Sequence, residues 1–146
     1  MESAGIDDAG PSQAHTMSVA VPLHGGDSSI AEARHLAVDF LTRARTDENV
    51  AVSDRAMDIT QLVVSELVTN ACKYAPGPMR MELRIDEDTV AVTVRDSATT
   101  RPVVRSEDPL RIGGHGLEIV MAVARAFAVH PEPAGKRVTA HIALNG

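Results

Sequence analysis

Residues 66–75 read ELVTNACKYA, and the reading of the whole chain turns on them. Glu66 and Asn70 stand four residues apart, so on a helix their side chains project from one face. The helix that would carry them is otherwise apolar: Ala56, Ile59, Val63, Leu67 and Ala71 recur at helical spacing, and Leu62, Val64 and Val68 widen that stripe nearly all round. An Asn carbonyl is a neutral oxygen ligand that suits Mg²⁺, and a carboxylate beside it can serve as a general base or hold a water. A polar pair on a helix is more often a solvated edge, so this one takes its meaning from what surrounds it.

Working outward, Ser53 or Asp54 is placed to cap this helix, and Pro76-Gly77-Pro78 ends it after residue 74. Upstream, HGGDSS at 24–29 separates a strand over residues 16–23 from a helix that Asp27, Ser28 or Ser29 caps and that runs to about residue 45. On that helix Ile30, Ala33, Ala37, Phe40, Leu41 and Ala44 share one face. Downstream, residues 79–85 and 89–95 form two strands around the Asp86-Glu87-Asp88 turn. In the second, Val90, Val92 and Val94 alternate with Ala91, Thr93 and Arg95, which suits a sheet covered on one face. Periodicity then stops from Asp96 to Gly114, and so long an aperiodic stretch inside a compact domain is usually functional or mobile. A helix over about residues 117–127 follows, and then short strands at 128–130 and 137–144 on either side of the turn PEPAGK. This order, rich in hairpins and poor in crossover helices, predicts an α+β two-layer sandwich, a mostly antiparallel mixed sheet with helices on one face.

With 146 residues the chain is expected to hold one domain, over residues 16–146, after a disordered leader at 1–15 of mixed Gly, Ser, Asp and Pro. Aromatic residues make up 2 % and Trp is absent, so the core is built from aliphatic side chains, each contributing roughly 1.5 to 3 kcal/mol when fully buried. A formal charge of −6 without a dense Lys/Arg run argues against nucleic acid or an anionic membrane as the main partner. The single cysteine, Cys72, cannot form an intramolecular disulfide and reads as a packing residue. No signal-like opening is present, nor an apolar run near the ~18 to 20 residues that span a bilayer, so the expected compartment is the cytoplasm.

Two further elements bear on chemistry. GGHGLEIV at 113–120 leads glycines into an apolar helix, where the backbone can approach an anion closely and the first N–H groups point outward. No G-K-[ST] follows, so this is not a Walker A loop. Asp96 ends the strand VAVTVRD at 90–96, where a carboxylate can accept a hydrogen bond from an exocyclic amine. Asp also favours turns, so alone it says little.

In this order and spacing, ELVTNACKYA, VTVRDSA and GGHGLEIV resemble the N box and the first and second glycine boxes of the GHKL ATPase superfamily. The nearest branch looks like the small bacterial anti-sigma factor serine/threonine kinases, and the resemblance covers about residues 16–144. It implies the Bergerat (histidine kinase-like ATPase) fold, with ATP and Mg²⁺ held between the helical layer and a flexible lid at 97–115. Carried over by position, Glu66 would be the catalytic base, Asn70 the Mg²⁺ ligand and Asp96 the acceptor of the adenine amine. Gly113, Gly114 and Gly116 would meet the phosphates, with Lys73, His115 and Leu117 as further cofactor-binding residues. Arg101, Arg105 and Arg111 cluster in this long loop and read first as ordinary surface residues, with Arg105 and Arg111 the better placed of the three to neutralise phosphate charge. The implied activity is phosphorylation of a serine or threonine on an anti-anti-sigma (antagonist) protein, capture of a sigma factor, or both. The alternative is a catalytically weak, nucleotide-sensing module that binds proteins, and family members often form homodimers.

Three positions depart from the family pattern. The first glycine box normally reads DxGxG, yet Asp96 is followed by Ser97, Ala98, Thr99 and Thr100. Tyr74 stands where a His is common after the N box. GKRV at 135–138 resembles a degenerate third box with Arg137 in place of the usual Thr.

Overall fold

The computed structural model describes residues 17–74, 77–96, 116–133 and 135–145. The leader expected at 1–15, the lid expected at 97–115 and the side chain of Tyr74 lie outside the described residues. In chain order the elements are β1 (Met17–Leu23), α1 (Asp27–Asp47), α2 (Asp54–Tyr74), β2 (Met79–Asp86), β3 (Thr89–Asp96), α3 (Gly116–Val123), β4 (Ala126–Glu132) and β5 (Gly135–Ala143). The five strands form one sheet in the order β1-β2-β3-β5-β4, and every pairing is antiparallel.

Alternation along the strands builds one wall of the core. Met81, Leu83 and Ile85 of β2, Val90, Val92 and Val94 of β3, and Val138, Ala140 and Ile142 of β5 are buried on the same side. The helices close over them. From α1 come Ala33, Ala37, Phe40, Leu41 and Ala44, and from α2 come Ala56, Val63, Val64, Leu67, Val68 and Ala71. The small alanines let α1 and α2 pack closely, which a core with almost no aromatic bulk requires. Leu62 differs from expectation: at 38 % exposed it sits outside the buried face of α2, whose apolar stripe is narrower than the residue pattern suggests.

Local chemistry explains the element boundaries. Ser53 Oγ accepts the Ala56 N–H at 2.9 Å, the N-cap bond expected at the start of α2. α1 begins differently from expectation, with Gly26 as N-cap and no side-chain cap bond. Ser29 instead accepts the Gly25 N–H at 2.9 Å and donates back to the Gly25 carbonyl at 3.1 Å, which ties the helix to the loop before it. In the β2–β3 hairpin Glu87 adopts φ 60°, the left-handed conformation a two-residue turn demands at its first central position.

The C-terminal part departs most. A helix was expected to continue to about residue 127, but α3 stops at Val123 and Ala126 to Glu132 form β4. Ala and Arg in this stretch favour a helix locally, but the ladder with β5 overrides them: the Arg125 N–H already donates to the His141 carbonyl at 2.7 Å, and Phe127 and Val129 pack against the core. Because β4 is an edge strand, Pro131 can be accommodated within it. Among the described residues no helix is long and apolar enough to cross a membrane.

Candidate functional site

Asp96 is the last residue of β3, and alternation with Val90, Val92 and Val94 turns it to the covered side of the sheet, where it is 7 % exposed. The neighbouring strand makes room for it. Gly135, the first residue of β5, has φ 137°, and a Cβ there would collide with the Asp96 carbonyl oxygen and lie 2.6 Å from Asp96 Oδ1. The next residue holds the carboxylate. The Lys136 backbone N–H donates to Asp96 Oδ1 at 3.2 Å, and its ammonium donates to Oδ2 at 2.9 Å. The Asp96 side chain is 4 % exposed and that of Lys136 is 25 % exposed. An ion pair this sheltered is retained only because hydrogen bonds offset the loss of hydration, and here both carboxylate oxygens are engaged.

Arg137, expected at the third-box position, turns the other way. Its strand partner is Arg95, both lie on the face opposite Asp96, and Glu132 bridges them at 3.5 Å from Arg95 Nε and 3.7 Å from Arg137 Nε. The residue beside Asp96 is therefore Lys136. The sequence held the signal: Val138, Ala140 and Ile142 mark the even positions of β5 as inward, and Lys136 continues that register.

The second cluster joins two helices. Glu66 and Asn70 are half-buried, one turn apart on α2, which packs against α3. A Cβ on Gly116, the first residue of α3, would lie 2.6 Å from Glu66 Oε1. The Glu66 carboxylate thus lies against backbone at the positive end of the α3 dipole, a favourable place for an anion. Lys73 is exposed on the last turn of α2, while the Leu117 side chain belongs to the core. Cys72 packs against the apolar cluster with its thiol 3.8 Å from the Gly26 carbonyl, consistent with a packing role. Gly113, Gly114, His115, Arg105 and Arg111 lie outside the described residues.

These donors match what a metal-bound nucleotide asks of a protein. Among the described residues no group of three His, Cys, Asp or Glu stands ready to hold a metal alone. Asn70 with Glu66 beside it suits a Mg²⁺ ion whose other ligands are phosphate oxygens and waters. A glycine-started helix offers N–H groups to an anion, and a buried carboxylate offers an acceptor to a base amine. By contrast, an open groove of about 530 Å³ along the outer side of α1, lined by Arg34, His35, Asp39 and Gln61 among others, contains none of the candidate residues.

Compared with known protein families, residues 27–142 match the histidine kinase-like ATPase domain. The chain belongs to this family. The match runs from α1 into β5 and so takes in Glu66, Asn70, Lys73, Asp96, Gly116, Leu117 and Lys136. Histidine kinase-like ATPase domains bind ATP, generally with Mg²⁺, and the antiparallel five-stranded sheet with three helices agrees with their fold. No curated protein matches the chain.

Proposed function

We propose that this histidine kinase-like ATPase domain is an anti-sigma regulatory factor that uses ATP to phosphorylate a serine or threonine of an antagonist protein, captures a sigma factor, or does both in the cytoplasm. The observation that carries the reading is the placement of the Glu66 carboxylate against the first residue of α3, one turn from Asn70. Phosphoryl transfer asks little covalent chemistry of a protein and much positioning and charge neutralisation. MgATP, when bound, supplies the γ-phosphoryl group. Glu66 would accept the proton of the acceptor hydroxyl as that oxygen bonds to the γ-phosphorus and the bond to the β–γ bridging oxygen breaks, releasing ADP, and the helix terminus beside it keeps that carboxylate oriented. Asn70 would hold the metal through its carbonyl and Asp96 would fix the base, while Lys136 anchors Asp96.

Glu66→Gln preserves shape and removes the base. It should bind MgATP as the parent does while transferring phosphate to its protein substrate about 10² to 10⁴-fold more slowly. Transfer at the parental rate would sink this role. A second reading, a nucleotide-sensing module that binds its partner without meaningful catalysis, is favoured by Ser97, Ala98, Thr99 and Thr100 standing where the family has glycines. It predicts no transfer of labelled γ-phosphate by the parent, with partner affinity still dependent on nucleotide.

A further inference from the structure

We propose that Asp96 and Lys136 act as one base-reading unit, in which the carboxylate accepts the exocyclic amine of adenine and the ammonium donates to a ring nitrogen flanking that amine. The inference rests on the nucleotide reading above and assigns Lys136 a contact with the base.

Three observations lead to it. First, the pair is fixed from both strands: Gly135 permits β5 to close on the end of β3, and the Lys136 N–H locks onto Asp96 Oδ1, so the lysine stem leaves the backbone beside the carboxylate. Second, the ammonium reaches Oδ2 at 2.9 Å with one of its three donors, and its side chain keeps a quarter of its surface exposed whereas Asp96 is nearly covered. A ligand arriving at Asp96 therefore meets the ammonium as well. Third, the edge of adenine presents its amine, a donor, between two ring-nitrogen acceptors, N1 and N7. A lone carboxylate matches the amine only, but a carboxylate with an ammonium 2.9 Å away matches the amine and the acceptor next to it.

The same geometry accounts for a departure in the motif. Arg137 stands where the family pattern has a threonine, and Lys136, one residue earlier, carries a charged donor to the Asp96 side of the sheet. Arg137 cannot substitute for it, because it faces the opposite side of the sheet with Glu132.

Titration calorimetry with MgATP and its 1-deaza and 7-deaza analogues tests the proposal, because each analogue keeps the amine and lacks one ring nitrogen. The folded parent should bind ATP about 10 to 100-fold more tightly than one analogue, the range expected for a lost charged hydrogen bond. The analogue that is penalised identifies the nitrogen. Lys136→Met should bind ATP and that analogue equally, and Lys136→Arg should restore part of the preference. Two results would overturn the proposal: a parent that binds ATP and both analogues alike, or a Lys136→Met chain that weakens all three ligands by one common factor, as a purely structural ion pair requires. The comparison of analogues in the parent needs no variant to fold. A folded parent that binds none of the three ligands would overturn the nucleotide reading itself, a result distinct from equal binding.

Discussion

Replacing Gly135 by alanine tests the close approach of β5 to β3 and can be calibrated within the same molecule. At Gly135 the backbone has φ 137°, and a Cβ would collide with the Asp96 carbonyl oxygen, lie 2.6 Å from Oδ1 and 2.9 Å from the carbonyl carbon. Two of these atoms are backbone, held in a strand, so they cannot swing aside. Gly26 is the control, with φ 89° and nothing within 4 Å of the added methyl. An unfavourable backbone conformation is worth about 1 to 3 kcal/mol at either site, and overpacking adds about 1 to 3 kcal/mol at Gly135 only. Any stabilisation from a stiffer unfolded chain is shared by both variants and drops out of the difference. At about 4 °C per kcal/mol for a chain of this length, Gly135→Ala should melt ~16 °C below the parent and Gly26→Ala ~8 °C below. Circular dichroism melts, with urea titrations to confirm an unchanged slope, measure both. If the two variants melt within 2 °C of each other, the packing of Gly135 on Asp96 contributes nothing and the placement of the base-reading pair fails with it.

Gly116→Ala is the converse case. The added methyl would press on Glu66 Oε1, the far end of a flexible side chain, so the carboxylate should move while stability changes by less than about 1 kcal/mol; a phosphoryl-transfer assay should show a drop of at least tenfold that the melting curve does not. Asn70→Ala should weaken MgATP far more than metal-free ATP in calorimetry, and equal loss of both would remove Asn70 from the metal. Ser53→Ala deletes the bond to the Ala56 N–H and should lower the unfolding free energy in urea by about 1 kcal/mol.

The parts of the fold that could be read in the sequence are those where local pattern and tertiary contact agree. Val90, Val92 and Val94 announce a one-sided strand, and they lie buried in the centre of the sheet. α2 announces its start with Ser53 and its end with Pro76. The reading failed where long-range pairing opposed local preference. Ala122, Ala124, Ala126 and Ala128 favour a helix, yet β5 offers Phe127 and Val129 a ladder and a covered face, so the helix ends at Val123. At the site, the pairing of Glu66 with Asn70 was visible as a spacing. The approach of Gly116 to Glu66 was not, because it depends on how α3 lies across α2. Position within the motif points to Arg137, whereas the two-residue period of β5 turns Lys136 toward Asp96.

Three contacts at the candidate site tie a residue before position 97 to one after position 115: Glu66 to Gly116, and Asp96 to Gly135 and Lys136. The sheet has the same seam. β1, β2 and β3 come from the first piece and β4 and β5 from the second, zipped together by seven residue pairs between β3 and β5. A chain break anywhere from 97 to 115 severs no strand pairing among the described residues. Two separately made polypeptides should therefore find each other through that zipper, and neither alone holds all of the candidate site. Nucleotide binding would then report the reunion of the halves, which makes this small domain a natural scaffold for split-protein complementation.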